Sequence, residues 1–200
     1  MTRLIKVIAI SGFLFTALVL INFLPGRAAV PPAFLPTDED TILSMDPSSS
    51  TVAPGSTFTL TVQVDTIPAS RAAQFSLSFD PAVLECVSVS EGTFYGDWAS
   101  LHEGSTFVLP EPECDNVNGK VTMMGITILS SEPGGPTGTG DVANIVFTAI
   151  GEGSSELTFS DVLLADDTLF ESKALPVTVY DGLVNVQGDT HLFLPMIVKP

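Results

Sequence analysis

Thr57-Phe58-Thr59-Leu60-Thr61-Val62-Gln63-Val64-Asp65-Thr66 (TFTLTVQVDT) alternates apolar and polar side chains. Phe58, Leu60, Val62 and Val64 stand between Thr57, Thr59, Thr61 and Gln63. A period of two puts one set on each face of a β-strand. The pattern returns at Ala73, Phe75, Leu77 and Phe79, set against Gln74, Ser76 and Ser78. A strand with one apolar face must bury it against a second layer, which predicts an antiparallel β-sandwich. No catalytic constellation lies on these strands, so the expectation is a binding module.

Working outward, strands are predicted at Thr41–Met45, Thr57–Asp65, Ala72–Phe79, Val83–Val89, Thr106–Leu109 and Lys120–Ile128. More follow at Val142–Ile150, Glu156–Phe159, Val162–Ala165, Val177–Tyr180 and Leu183–Val186. Asp80-Pro81 ends one of them, since proline donates no ladder hydrogen bond. Asp46–Gly55, Pro110–Gly119 and Ser130–Gly140 are rich in Ser, Pro or Gly and read as turns and loops. Asn116–Gly119 (NVNG) reads as a hairpin turn into Lys120. Glu91–Glu103 reads as an irregular loop, and no amphipathic helix is expected after Leu24. About nine short strands fit a sandwich or jelly roll.

The chain has 200 residues and a formal charge of −16. Three of its seven cations precede Val30 and all 23 acids follow it, so the rest of the chain sets four cations against 23 acids. Such a surface repels phosphate backbones and excludes nucleic acid as a partner. Solvation is the bland reading of the same charge.

Arg3 and Lys6 precede an uncharged, mostly apolar run from Val7 to Leu24, and Gly26 and Ala28 are spaced for cleavage. Residues 1–29 therefore read as an export signal, or as an uncleaved helical anchor that gives the only membrane contact. Residues 30–40 form a Pro-rich, acidic linker, 41–187 the sandwich, and 188–200 an apolar tail. Either reading of the N-terminus puts the sandwich outside the cell or on its surface. In an exported chain, Cys86 and Cys114, the only cysteines, suggest a disulfide. Its closure contributes roughly 3–4 kcal/mol in the chain-entropy picture. Two buried thiols are the alternative. His102 and His191 have no ligand-like spacing to either cysteine, so no metal or other cofactor is expected.

Five segments in order resemble a cohesin domain over about Thr41 to Val186: VAPGSTFTLTVQV (Val52–Val64), FSLSFDPAVLECVSV (Phe75–Val89), GDVANIVFTAIGEG (Gly140–Gly153), SELTFSDVLLAD (Ser155–Asp166) and VTVYDGLVNV (Val177–Val186). Phe79-Asp80-Pro81 followed by Val83-Leu84 is the most characteristic piece. The resemblance implies a nine-stranded jelly-roll sandwich. It also implies a non-catalytic receptor for dockerin-type modules, used in polysaccharide degradation or surface assembly. Calcium in such complexes belongs mainly to the dockerin, and this chain has no D-x-[DN]-x-[DN]-G loop. Carried over by position, the docking face falls on Ala72, Gln74, Gly125 and Ile128. Gln74, Ser76 and Ser78 join it as the polar side of the alternation. Several family positions with polar or charged contacts are here Ala, Gly or Ile.

Three other features need weighing. Phe94, Tyr95 and Trp98 could stack on sugars, which makes a carbohydrate-binding module with a polysaccharide ligand the alternative function. The same rings folded back would cap the sandwich edge. Asp166-Asp167, Asp38-Glu39-Asp40 and Asp115 with Asn116 and Asn118 read as solvated turns before they read as calcium ligands. The tail LFLPMIVKP (Leu192–Pro200) resembles the Leu-Pro-containing tails of exported proteins of some filamentous bacteria, which implies sorting or attachment. An edge strand or a disordered end is the alternative. GGPTGTG lacks the Lys-Ser/Thr of a phosphate loop, and there is no G-x-S-x-G, so an enzyme is not expected.

Overall fold

The computed structural model describes residues 41–130, 132–169 and 172–188. Residues 1–40, where an export signal or anchor and a linker are expected, and residues 189–200 lie outside them. Among the described residues there are twelve strands and one α-helix. In chain order the strands begin with β1 (Thr41–Asp46), β2 (Ser49–Val52), β3 (Thr57–Thr66), β4 (Ser70–Ser78) and β5 (Leu84–Glu91). Helix α1 (Phe94–Leu101) follows, then β6 (Ser105–Val108), β7 (Cys114–Asp115) and β8 (Lys120–Leu129). The last are β9 (Gly138–Ala149), β10 (Gly153–Asp166), β11 (Val177–Tyr180) and β12 (Gly182–Val186). One sheet has five strands in the order β11-β1-β3-β9-β5; the other has seven, β2-β12-β10-β4-β8-β6 with β7 also on β8.

The period of two does what it promised. Leu60, Val62 and Val64 of β3 meet Ala73, Phe75 and Leu77 of β4 in a shared core, all nearly inaccessible. Leu43, Ile145, Phe147, Met124, Ile126, Leu157 and Leu164 complete it from both sheets. Each such side chain contributes roughly 1.5–3 kcal/mol by leaving water. Phe79 and Phe147 cross edge to face at 5.3 Å, as do Phe75 and Phe159 at 5.9 Å.

The sheets are mixed rather than purely antiparallel. β1 runs parallel to β11, and β2 parallel to β12. The cause is a shared crossing. The β1–β2 segment passes from one sheet to the other through Pro47, and the β11–β12 segment does so through Asp181, side by side in the same direction. β2 lies inside the Ser-rich stretch expected to be a turn. The predicted strands Glu156–Phe159 and Val162–Ala165 are one strand, β10, bulged between Ser160 and Leu163. At that bulge Asp161 takes a left-handed φ of 55°.

Helix α1 replaces the irregular loop expected over Glu91–Glu103. It buries Phe94, Tyr95 and Ala99, too few positions to give an amphipathic signal. Its end is a Schellman-type turn: Gly104 N–H donates to Ala99 O at 2.8 Å while Glu103 holds φ 52°.

Cys86 and Cys114 are bonded, across a Cα separation of 5.4 Å. The bond joins β5, an edge of the five-stranded sheet, to β7 on the seven-stranded one. Beside it the Asn116 amide accepts from Cys86 N–H at 2.8 Å and donates to Cys86 O at 2.9 Å, as a strand partner would. The turn over Asn116–Gly119 is a hairpin between β7 and β8, as its sequence suggests. Asp115 accepts the Val117 and Asn118 N–H groups there, and Gly119 supplies the positive φ.

Candidate functional site

The outer face of β10, β4, β8 and β6 gathers side chains from four strands whose register sets them in rows. Leu163 pairs with Gln74, and Gln74 with Gly125. Leu109 N–H donates to Gly125 O at 2.8 Å and closes that row. The next row runs Ala165, Ala72, Thr127 and Phe107. All of these but Ala165 line a shallow, largely apolar groove of about 270 Å³. Phe107 is 48 % exposed, Leu109 65 % and Leu163 42 %. Apolar side chains this bare, side by side on one sheet face, make this patch the candidate contact surface.

Local structure explains the groove. Gly125 is the floor because a Cβ there would strike the Leu109 carbonyl oxygen, so only glycine lets the Leu109-Pro110 segment lie this close. The bulge in β10 brings Leu163 beside Gln74. Gln74 Nε2 donates to the Asp161 carbonyl at 3.2 Å, which fixes the amide at the groove's lower edge. Lys120 Nζ stands 3.9 Å from the Asp161 carboxylate, the only ion pair among the described residues.

Of the docking residues expected from sequence, Ala72, Gln74 and Gly125 line this groove. Ser78 is exposed at the far end of β4, opposite Lys120. Two expectations need correction. Ser76 is fully buried and its hydroxyl has no hydrogen-bond partner. It sits at the β8 bulge, where Thr122 and Met123 together face one residue of β4. Ile128 belongs to the core with Met124 and Ile126, so it cannot meet a partner on this face. Beyond the bulge the outward residues of β8 are Gly125, Thr127 and Leu129. Sequence reading missed Leu163, Phe107, Leu109 and Thr127. The apolar FVLP stretch held a signal for Phe107 and Leu109; Leu163 was masked by the bulge.

The aromatic trio folds back. Phe94 and Tyr95 are buried, their rings edge to face at 5.1 Å. The Tyr95 hydroxyl lies 2.9 Å from Ser70 Oγ; burial pushes its pKa well up, and the Ser70 bond offsets only part of that. Neither ring is available to stack on a sugar. Trp98 is half-buried and already stacked on His102, with centroids 3.8 Å apart.

The carboxylates of Asp166 and Asp115 each hold the groups of their own turn. Asp166 accepts from Thr168 Oγ1 at 2.7 Å and from Lys173 N–H at 3.0 Å. Its carboxyl is held below the usual range, chiefly by the Thr168 side chain and then by the Lys173 N–H. Asp115 is lowered in the same way, first by the Asn118 side chain. Among the described residues, no group of three or more His, Cys, Asp or Glu could hold a metal ion. Asp38-Glu39-Asp40 lies outside them. Arg71 is buried and donates to the carbonyls of Ser130, Glu132 and Gly134 at 2.7, 2.9 and 2.6 Å, which pins the Gly/Pro-rich loop.

Comparison with known proteins agrees with this fold. A family model described as the cohesin domain matches residues 43–186. The fold is similar to the third cohesin ScaC, solved with the ScaB dockerin, from Acetivibrio cellulolyticus. There the TM-score is 0.56 at 16% identity, covering 73% of this chain and 98% of that one. It is also similar to a non-cellulosomal cohesin from the hyperthermophilic archaeon Archaeoglobus fulgidus. That match has a TM-score of 0.52 and 18% identity over 76% of this chain and 94% of that one. A third similar fold, CaCohA2 from Clostridium acetobutylicum, gives 0.52 and 19% over 76% and 93%. A search of curated proteins gave no match.

Proposed function

The chain belongs to the cohesin family, and from that premise we propose that it is a non-catalytic receptor for a dockerin-type module. The partner docks on the outer face of the seven-stranded sheet. The observation that carries this reading is the exposed apolar groove bounded by Leu163, Phe107 and Leu109. Its residues sit on paired strands, so docking needs little rearrangement and loses little entropy. The dockerin bound to the ScaC cohesin supports the partner class. The Cys86–Cys114 bond supports an oxidising, extracellular setting, where polysaccharide degradation or surface assembly takes place. With Phe94 and Tyr95 buried, the aromatic-loop route to a polysaccharide has lost two of its three rings.

The test is calorimetric titration of the full chain against purified dockerin modules, with and without calcium. Saturable heat that needs calcium on the dockerin side is the expected result. No heat from any dockerin in either condition removes this function.

A further inference from the structure

A second hollow lies between helix α1 and the loop that leads into β9. At about 440 Å³ it falls inside the roughly 300–1,000 Å³ range of small-molecule sites, and it shares no residue with the groove. Its walls are fixed backbone. Ser70 N–H donates to the Pro136 carbonyl at 3.0 Å and holds the loop against β4. Gly140 lets β9 start so close to Phe94 that a Cβ there would strike the ring. The lining is of two kinds. Trp98 and Leu101 give apolar surface, and Leu101 is 82 % exposed. Trp98 is held in place: His102 stacks on it, with Nδ1–H bonded to the Trp98 carbonyl at 2.8 Å. Thr93, Asp97, Thr137 and Thr139 complete the lining, and all four are exposed. None of these four side chains has a hydrogen-bond partner among the described residues. Even Thr93, at the capping position of α1, makes no side-chain bond to its helix. No cation lines the hollow.

We propose that this hollow binds a neutral pyranose sugar. A pyranose carries C–H groups on its faces and hydroxyls around its rim, so it needs an apolar patch beside free donors and acceptors. Trp98 and Leu101 supply the patch. The two oxygens of Asp97 accept from a pair of neighbouring sugar hydroxyls, while the three threonines both donate and accept. Hydrogen bonds to a charged group are the stronger kind, so Asp97 fixes the orientation of the ring. A uronic acid is refused. Its carboxylate would meet Asp97 with no lining cation to offset it, on a chain at −16. A wholly apolar ligand is refused as well, because it would cover four polar side chains and leave them unpaired. Unlike the three-ring surface expected from sequence, the site uses one ring and hydroxyls from a distant loop. Because groove and hollow share no residue, the sugar site stands whether or not a dockerin docks.

Trp98 is the chain's only tryptophan, so its emission reports on the hollow directly. The test titrates the full ¹⁵N-labelled chain with cellotetraose, xylotetraose and mannotetraose, and with trigalacturonate as the anionic control. A saturable change in Trp98 emission with at least one neutral sugar, and amide shifts confined to residues 93–101 and 135–140, is the expected result. Asp97→Ala should weaken that binding about tenfold, and Leu101→Ser about threefold. Both side chains are exposed, so the melting temperature of each variant should match wild type. The methyl pyranoside of the responding sugar separates the sources. Affinity equal to the tetraose assigns a single terminal unit, and weaker affinity assigns a stretch of polysaccharide; both support a pyranose site. No response to any neutral sugar, an equal response to trigalacturonate, or binding undiminished in Asp97→Ala would overturn the proposal. A chain that takes a neutral sugar but no dockerin keeps this site and loses the docking reading.

Discussion

On the outer face of the five-stranded sheet, side chains serve one another. The hydroxyls of Thr57 and Thr148 lie 3.1 Å apart, Thr61 Oγ1 donates to Asn144 at 3.1 Å, and Gln63 reaches Asp141 at 3.5 Å. On the outer face of the seven-stranded sheet, Leu163, Phe107 and Leu109 stand bare around a glycine floor. The same fold thus carries one face whose polar groups meet one another, with Val87 and Tyr180 bare on its edge strands, and one whose central apolar groove is uncovered. A partner covering the first must break hydrogen bonds to gain contacts, and each group left unpaired costs about 1–3 kcal/mol. A partner covering the second displaces water from apolar surface, worth about 25 cal/mol per Å². Function on a sandwich is therefore read from which face has unmet contacts, not from the fold alone.

The sharpest way to break this contrast is to charge the apolar face. Phe107→Asp with Leu163→Asp should weaken dockerin binding about a thousandfold, while Thr59→Asp on the opposite face should change it less than about twofold. Calorimetry reads both, and an unchanged melting temperature shows that the fold survived. Next in size is the disulfide. Cys86→Ser with Cys114→Ser should cost about 2–5 kcal/mol in a guanidinium melt, yet leave the affinity of the folded fraction near wild type, because the bond ties sheet edges away from the groove. Gly125→Ala should cost about 1–3 kcal/mol and weaken docking several-fold, since the new methyl displaces the Leu109 carbonyl.

The smallest effect is acid. The folded-state pKa values of Asp115 and Asp166 are lowered, so their contribution is complete above the unfolded value near 3.8 and is lost as pH falls through the folded one. Both carboxylates are exposed, so the change should be local. The protection factors of Val117, Asn118, Thr168 and Lys173, taken against the intrinsic exchange rate at each pH, should fall on acidification before those of β3 or β4 do.

Alternation made most strands legible, because Leu60, Val62, Val64, Ala73, Phe75 and Leu77 keep a strict period of two. It could not show where the period slips. The bulges opposite Ser76 and at Ser160–Leu163 bury a serine that the pattern turned outward and bring out Leu163. β2 was hidden because SSTV has too little apolar content to stand out, and its pairing with β12 comes from the far end of the chain. Helix α1 was hidden because its rings are held by the sandwich rather than by a helical repeat of its own. The order of cohesin-like segments carried the family; the groove needed strand register, which joins residues about 90 positions apart, such as Gln74 and Leu163.

Hydrogen–deuterium exchange on the full chain, free and saturated with a bound dockerin, tests the central assignment most directly. Slowed exchange confined to residues 72–74, 105–109, 125–129 and 163–165 is the predicted result. Protection over residues 57–63 and 144–148, with the groove strands unchanged, would put the partner on the satisfied face and contradict the assignment.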